Sequence, residues 1–119
     1  VKYHFRHASE WIPRLGEGTE ESHARTQKAI DNLWTYTGEL FEMDEVDQVL
    51  IKEGIAVDMS ALKSKWEKQV RSVIEGATLK LPAGGFMQTG SRKGLHSEHL
   101  GFLLAEMQYL PRAYPDAKW

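Results

Sequence analysis

The stretch TEESHARTQKAIDNLWTYTGELF, residues 19–41, decides the fold. Thr19 suits the N-cap position of a helix, because its hydroxyl can accept a hydrogen bond from a free amide of the first turn. Glu20 and Glu21 follow at the positions where the helix dipole favours carboxylates. One helical stripe then carries Ile30, Leu33, Trp34, Thr37, Leu40 and Phe41. This spacing predicts an amphipathic helix from Glu20 to about Phe41.

Helical patterns also flank this stretch. The spacing predicts further helices over residues 1–15, 44–53, 58–79 and 95–110. Pro13 is expected to kink or loosen the first helix, Gly54 to end the short one, and Pro111 to end the last. The residues predicted to point inward from the short helix are Val46, Val49 and Leu50.

The arrangement of these helices predicts the fold class. Four long helices and one short helix, without a credible strand, indicate an all-α protein that is a helical bundle or part of one. The density of glycine and proline marks residues 82–94 as a long irregular loop. We expect residues 1–119 to form a single helical domain that includes this loop.

The composition excludes several classes of function. The net charge is -2 with both signs interspersed, which argues against binding to nucleic acid. Cysteine is absent, so disulfides, thiolate metal sites and a cysteine nucleophile are ruled out. No apolar run approaches the roughly 20 residues that a bilayer crossing needs, and we expect no membrane partner. These features together indicate a cytoplasmic protein.

Glu-x-x-His pairs are the first chemistry to consider in a helical bundle. A di-metal carboxylate centre needs two such pairs and two further glutamates, all projecting inward from the middle of their helices. The pair occurs once, as Glu20 and His23, in the first turn after a glycine-rich break. The simpler interpretation is that Glu20 favours the helix dipole and that His23 is exposed. The residues therefore predict no metal site and no catalytic group in this chain.

Two other histidine clusters allow alternative interpretations. His4 and His7 are three residues apart and could begin a metal site, or they could be ordinary packing histidines. His96 and His99 lie in a dense polar segment, and Glu106 is predicted to face inward beside His99. A buried Glu–His pair would be a candidate functional site, whereas the alternative is a polar tie between helices that fixes their register. We favour a structural role for all five residues.

Several segments resemble one protein family. They are Leu33-Trp34-x-x-Thr37-x-Glu39-Leu40-Phe41, Glu53-Gly54-Ile55-Ala56-Val57-Asp58, Lys93-Gly94-Leu95-His96-x-Glu98-His99-Leu100-Gly101, Leu104-Ala105-Glu106-Met107-Gln108-Tyr109-Leu110 and the terminal Trp119. Over essentially its whole length the sequence resembles the C-terminal half of the structural C subunits of bacterial phenylacetyl-CoA 1,2-epoxidases, also called phenylacetate-CoA oxygenases. The string from Glu98 to Tyr109 is the most specific part of this resemblance.

The resemblance implies a ferritin-like helical bundle, of which this chain is roughly the C-terminal half. It also implies a non-catalytic structural subunit without a competent di-iron ligand set. Such a subunit pairs with a catalytic A subunit that holds the iron and serves aerobic phenylacetate catabolism. No cofactor is expected in this chain, and the di-iron centre is expected in the partner subunit.

The surface that would meet this partner is predicted from the last helix and the chain end. The predicted interface residues are Leu100, Met107, Tyr109 and Trp119. A half bundle would expose apolar stripes, so we expect a homodimer when the A subunit is absent. Two alternatives stay open: a self-contained metal-binding helical-bundle protein, and a helical protein-interaction module without any oxygenase partner.

Overall fold

The computed structural model describes residues 1–118, and every regular element in this range is helical. In chain order the α-helices are α1 (Lys2–Gly16), α2 (Glu20–Leu33), α3 (Glu45–Lys52), α4 (Met59–Gly76), α5 (His99–Met107) and α6 (Tyr109–Ala113). Short 3-10 helices cover Trp34–Tyr36, Gly38–Phe41 and Ser91–Lys93. The predicted all-α class is confirmed, and the helical architecture is consistent with a ferritin-like bundle.

Local side-chain caps start three of the helices. The Thr19 hydroxyl accepts a hydrogen bond from the amide of Ser22 at 3.1 Å, as the sequence predicts. Asp44 and Asp47 form a reciprocal capping box at the start of α3. The Asp58 carboxylate accepts a hydrogen bond from the Ser60 amide at 2.8 Å and starts α4. These caps use residues within one turn of each other, so the sequence pattern alone is sufficient to find them.

Helices α3 and α4 end in the same hydrogen-bonded motif. After α3, the amide of Ile55 donates to the Leu50 carbonyl at 2.9 Å, and Gly54 takes a left-handed φ of 71°. After α4, the amide of Leu79 donates to the Ile74 carbonyl at 3.1 Å, and the left-handed residue is Thr78 with φ 61°. Both are Schellman motifs. Helix α4 therefore ends at Gly76, whereas the sequence pattern predicts that it continues to residue 79.

The core of residues 1–88 lies where the C-terminal end of α1 packs against the end of α4. Its buried hydrophobic residues are Ile74, Ala77 and Leu79. Gly16 is buried against them, and a Cβ atom at that position would lie 2.6 Å from the Ala77 carbonyl oxygen. Only glycine allows the two backbones to approach this closely. The packing of α1 on α4 therefore depends on a residue without a side chain.

Helix α2 ends at Leu33, eight residues before the predicted end at Phe41. Thr35 explains the early end, because its carbonyl accepts a hydrogen bond from the Gln88 amide at 2.9 Å. Its hydroxyl also donates to the Phe86 carbonyl at 2.7 Å. These bonds to a distant segment replace α-helical pairing, and the chain continues as two 3-10 turns.

The last predicted helix is shorter and divided in two. Helix α5 begins at His99 rather than near residue 95 and ends at Met107. Pro111 has no amide hydrogen, and its ring would clash with the carbonyl of Met107 four residues earlier. Pro111 itself lies in the first turn of α6, where proline is tolerated, so the prediction that it ends the helical pattern is wrong.

The chain forms two compact units, Val1–Gln88 and Thr89–Trp119. The single domain over residues 1–119 stays a prediction. The loop predicted over 82–94 is irregular except for the 3-10 turn Ser91–Lys93.

The chain leaves much of its apolar surface uncovered. Large hydrophobic side chains that are exposed include Leu33 of α2, Leu62 of α4 and Phe102 of α5. Val46 and Val49 of α3 are exposed, so the prediction that they point inward is wrong. Their stripe is amphipathic as predicted, but nothing within residues 1–118 covers it. No helix of this described part combines the length and hydropathy that a bilayer crossing requires.

Candidate functional site

Side-chain contacts at the corner between α1 and α2 fix the position of these two helices relative to each other. The Ser22 hydroxyl donates to the Leu15 carbonyl at 2.7 Å. The Nδ1 atom of His23 lies 2.7 Å from the carbonyl oxygen of Gly16. Both contacts satisfy carbonyls at the C-terminal end of α1 that have no partner within the helix. The side chains of the first turn of α2 therefore hold α1 in place.

A groove of about 770 Å³ runs between α1, α2 and α4. Its apolar walls include Ile12, Leu15, Ile30, Trp34, Trp66 and Val70. At one edge, Arg25 forms an exposed ion pair with Glu21 at 3.4 Å. An apolar groove with a polar edge is suited to an apolar ligand or to the apolar face of a partner helix.

Three aromatic rings pack together beside this groove, and two of them, Trp34 and Trp66, line it. The centroids of Trp34 and Trp66 are 5.8 Å apart, and the ring of Phe41 meets Trp66 edge-on at 5.3 Å. Such contacts add to the stability of the packed rings beyond the burial of their surface. This aromatic cluster therefore joins the 3-10 helices that follow α2 to α4.

The segment after α4 is tied back to α2. The side-chain amide of Gln27 donates to the Lys80 carbonyl at 2.9 Å, and its oxygen accepts from the Lys80 amide at 2.8 Å. The bonds of Thr35 to residues 86 and 88 continue the same attachment. The sequence does not reveal this attachment, because a lone glutamine and a lone threonine carry no pattern that identifies a distant backbone partner.

The predicted interface residues lie on or beside an exposed apolar segment, α5 and α6. Leu100 is half-buried, and Met107 and Tyr109 are exposed. Phe102 and Leu103 are exposed on the same helix, although they are not among the predicted interface residues. The fourth predicted interface residue, Trp119, lies outside the described residues. The interface itself stays a prediction.

The predicted histidine clusters lie on two separate elements. On α1, the ring of His7 stacks on Tyr3 at a centroid distance of 6.0 Å, and His4 meets the edge of Tyr3 at 5.8 Å. His7 also contacts Trp11 at 6.2 Å, so this histidine is part of an exposed aromatic row. The structure thus places both histidines in ring contacts with their own helix.

The second cluster does not form a buried pair. His96 precedes α5, and His99 and Glu106 are both exposed on it. Seven helical residues separate the backbone positions of His99 and Glu106 by about 10 Å along the axis. The predicted burial of Glu106 beside His99 is therefore not observed, and a structural role for the cluster stays a prediction.

The described residues show no grouping of side chains that resembles the ligand set of a di-iron centre. In the part of the chain that the structure describes, no three histidine, aspartate or glutamate side chains are grouped as metal ligands would be. Glu20 and His23 lie in the first turn of α2, and Nδ1 of His23 is already hydrogen-bonded to Gly16. A di-iron centre needs inward-facing carboxylates and histidines from several helices.

The pKa of the Asp58 carboxyl group is lowered from its usual value. The hydroxyl of Ser60 donates a hydrogen bond to the Asp58 carboxylate, and this bond is the main reason that the pKa of Asp58 is lowered. The amides of Ser60 and Ala61 act in the same direction, while desolvation opposes them. Asp58 is the N-cap of α4, so the shift reflects helix capping and does not identify a catalytic acid.

Comparison with known proteins defines the class. The family model described as "Phenylacetic acid catabolic protein" matches residues 1–119. This all-helical chain therefore belongs to the phenylacetic acid catabolic protein family. A particular relative is the C subunit of the 1,2-phenylacetyl-CoA epoxidase of Escherichia coli strain K12, which is 49% identical over 119 residues. The alignment covers 100% of this chain but 48% of the relative, so the chain spans about half the length of that protein.

Proposed function

We propose that this chain acts as a non-catalytic structural subunit of a multicomponent phenylacetyl-CoA epoxidase in the cytoplasm. In this role it binds and stabilises a separate catalytic A-type subunit, which holds the di-iron centre. The proposal is supported by the family membership and by the name of the Escherichia coli relative. Because the chain spans about half of that relative, the activity of the whole protein is part of the proposal.

The observation that carries the proposal is the uncovered apolar surface of α5 and α6. Phe102 is 71% exposed and Met107 is 75% exposed, and the adjoining Tyr109 and Leu110 are exposed as well. Monomeric proteins rarely leave contiguous apolar patches of this kind in water. Burying one such large side chain contributes about 1.5–3 kcal/mol. A partner that covers this segment would therefore gain stability from several residues at once.

Co-elution with a catalytic A-type subunit of the epoxidase tests this function. We expect the 119-residue chain to co-elute with that subunit and to raise its melting temperature. Met107→Glu should weaken the complex by about 30-fold, because it places a charge in a position that the partner would desolvate. Val57→Glu is the matched control, since Val57 is also apolar and exposed but lies far along the chain from α5. Absence of co-elution by the unmodified chain would contradict the proposal.

Without the catalytic partner, we propose that the chain forms a homodimer. The same uncovered surface supports this second association, because its removal from water drives binding whichever partner is present. Light scattering of the isolated chain tests it directly. A mass that stays at 13.6 kDa at every concentration would contradict the homodimer but leave the role in the epoxidase standing.

A further inference from the structure

Helix α1 carries an exposed face of aromatic rings and guanidinium groups. The rings of Tyr3, His7 and Trp11 follow one another along this face, and all three residues are exposed. The Arg6 guanidinium lies over the Tyr3 ring at 5.8 Å, and the Arg14 guanidinium lies over the Trp11 ring at 5.5 Å. Such cation–π contacts hold the guanidinium groups against the helix, while their N–H edges stay free to meet an acceptor.

This face of α1 is cationic overall, although it includes one carboxylate. Glu10 lies between the two arginines and approaches Arg6 at 3.9 Å in an exposed ion pair. A long and exposed pair of this kind contributes little, because water screens it. Arg14 forms no ion pair within the described residues. Arg6 and Arg14 are eight residues apart, which places them about 12 Å apart along the helix axis.

Helix α3 presents an exposed face of the opposite charge and of the same length. Val46 is 64% exposed and Val49 is 60% exposed. Glu45 and Glu53 flank them, and at 3.6 residues per turn these four positions fall within about 100° of the circumference. The two glutamates are again eight residues apart, or about 12 Å along the axis. Lys52 borders this face, so two carboxylates lie beside one ammonium group.

The position of Glu53 favours a cation from outside its own helix. Glu53 is the C-cap of α3, and the negative end of the helix dipole disfavours a carboxylate there. Neither Glu53 nor Glu45 forms an ion pair within the described residues. A guanidinium group from another molecule would therefore remove a repulsion as well as add an attraction.

The two faces match in charge, in spacing and in apolar content. Both helices belong to the compact unit Val1–Gln88, and in the described residues neither arginine of the α1 face is paired with a carboxylate of α3. The two arginines of one copy have the spacing to reach the two glutamates of another copy. The valines of α3 would then cover the aromatic rings of α1, which are otherwise exposed to water. This match is a property of the two helices themselves.

We propose that two copies of this chain associate by packing the cationic aromatic face of α1 in one copy against the acidic aliphatic face of α3 in the other. This inference rests on the homodimer proposed above and names a contact for it within residues 1–88. A two-fold axis generates the contact twice, once in each direction. The opposite charges guide association and fix the register of the helices, while burial of the rings and valines adds hydrophobic stabilisation.

Charge reversal on either face tests the contact. The double variant Arg6→Glu/Arg14→Glu makes both faces acidic. The double variant Glu45→Lys/Glu53→Lys makes both faces basic. We expect each to raise the dissociation constant of the dimer by about 30-fold or more in sedimentation and light scattering, because attractive pairs become repulsive ones. For the unmodified chain the constant should also rise with salt, since the Debye length falls from about 10 Å at 0.1 M to about 3 Å at 1 M.

A control with the same change in net charge lies on α4. Lys63 and Lys68 are exposed there, and neither belongs to the two faces. Lys63→Glu/Lys68→Glu should leave the dimer close to that of the unmodified chain. Circular dichroism should show the same helix content for all three double variants.

Mixing the two reversed variants separates charge complementarity from a loss of folding. Each contact in the mixture again joins opposite charges, because the new glutamates of α1 meet the new lysines of α3 and the unchanged residues meet each other. We expect this mixture to dimerise nearly as tightly as the unmodified chain. A mixture of the α4 control with the lysine variant carries the same net charges but restores only one of the two contacts, so it should dimerise more weakly.

The outcomes separate the inference from the proposal on which it rests. A monomeric unmodified chain overturns both the homodimer and the contact between α1 and α3. A dimer that withstands both reversed variants overturns the contact alone and leaves a homodimer through other surfaces. A reversed mixture that associates no more tightly than the control mixture has the same meaning. Binding to the catalytic A-type partner is measured separately.

Discussion

Replacing Thr78 by glycine should stabilise the protein, although the substitution removes side-chain atoms. Thr78 holds the left-handed position of the Schellman motif that ends α4, with φ 61°. For a residue with a Cβ atom, that conformation costs about 1–2 kcal/mol. The greater freedom of glycine in the unfolded chain offsets about 0.4–1 kcal/mol of this gain. We therefore expect a net stabilisation of about 0.5–1 kcal/mol, or about 2–8 °C in Tm for a small domain.

The chain offers a matched reverse substitution. Gly54 occupies the same position of the motif after α3, with φ 71°, and a Cβ atom there would meet nothing within 4 Å. Gly54→Thr should therefore destabilise the protein through backbone conformation alone. Thermal and urea unfolding followed by circular dichroism measure both changes, and Thr78→Ala should lie close to the unmodified chain. If Thr78→Gly lowered Tm while Gly54→Thr also lowered it, the assignment of strain to Thr78 would be refuted.

Three further predictions concern packing, pH and metal content. Gly16→Ala should destabilise the chain by about 1–3 kcal/mol, because its Cβ would overpack against the Ala77 carbonyl; unchanged urea unfolding would contradict the close approach. Because the pKa of Asp58 is lowered by folding, its charged form stabilises the folded chain. This stabilisation is present in full above the unfolded-state pKa of about 3.9, and it is lost as the pH falls through the pKa of the folded state. The advantage of the unmodified chain over Asp58→Asn should accordingly be constant near neutral pH and shrink in acid, and an advantage that persisted in full under strongly acidic conditions would argue against it. Elemental analysis of the purified chain should find no stoichiometric iron or manganese, whereas a stoichiometric metal would favour the alternative of a metal-binding bundle.

Local signals in the sequence predict most helix starts, and distant contacts explain most of the errors. Thr19 and Asp58 cap helices through residues two or three positions away, so their roles are visible in the sequence. Thr35 ends α2 through bonds to a segment about 50 residues later, which no short-range pattern reveals. Thr78 adopts a conformation that favours glycine, so its residue type does not indicate that α4 ends before residue 79.

Errors about burial have a different physical origin. The apolar stripe of α3 is visible in the sequence, yet Val46 is exposed because the described chain has no element to cover it. A hydrophobic pattern identifies a face that should be removed from water, but it does not say which molecule removes it. The same reasoning applies to Met107, whose exposure fits a predicted interface residue better than a core residue.

The balance between polar and apolar groups indicates where the stability of this chain originates. In the described residues no buried side-chain nitrogen or oxygen lacks a hydrogen-bond partner, so the buried polar side-chain atoms are satisfied within the chain. Much of the apolar surface stays exposed, because only Ile74, Ala77 and Leu79 are buried hydrophobic residues in that part of the chain. Hydrogen bonds therefore set the local geometry of the described residues, whereas their buried hydrophobic core is small. If two copies of the chain associate as proposed, its apparent stability depends on its concentration. The effect of Thr78→Gly, which acts on the backbone of one copy, should be the same at all concentrations. The effect of Met107→Glu should grow with concentration if the proposed homodimer forms through α5 and α6.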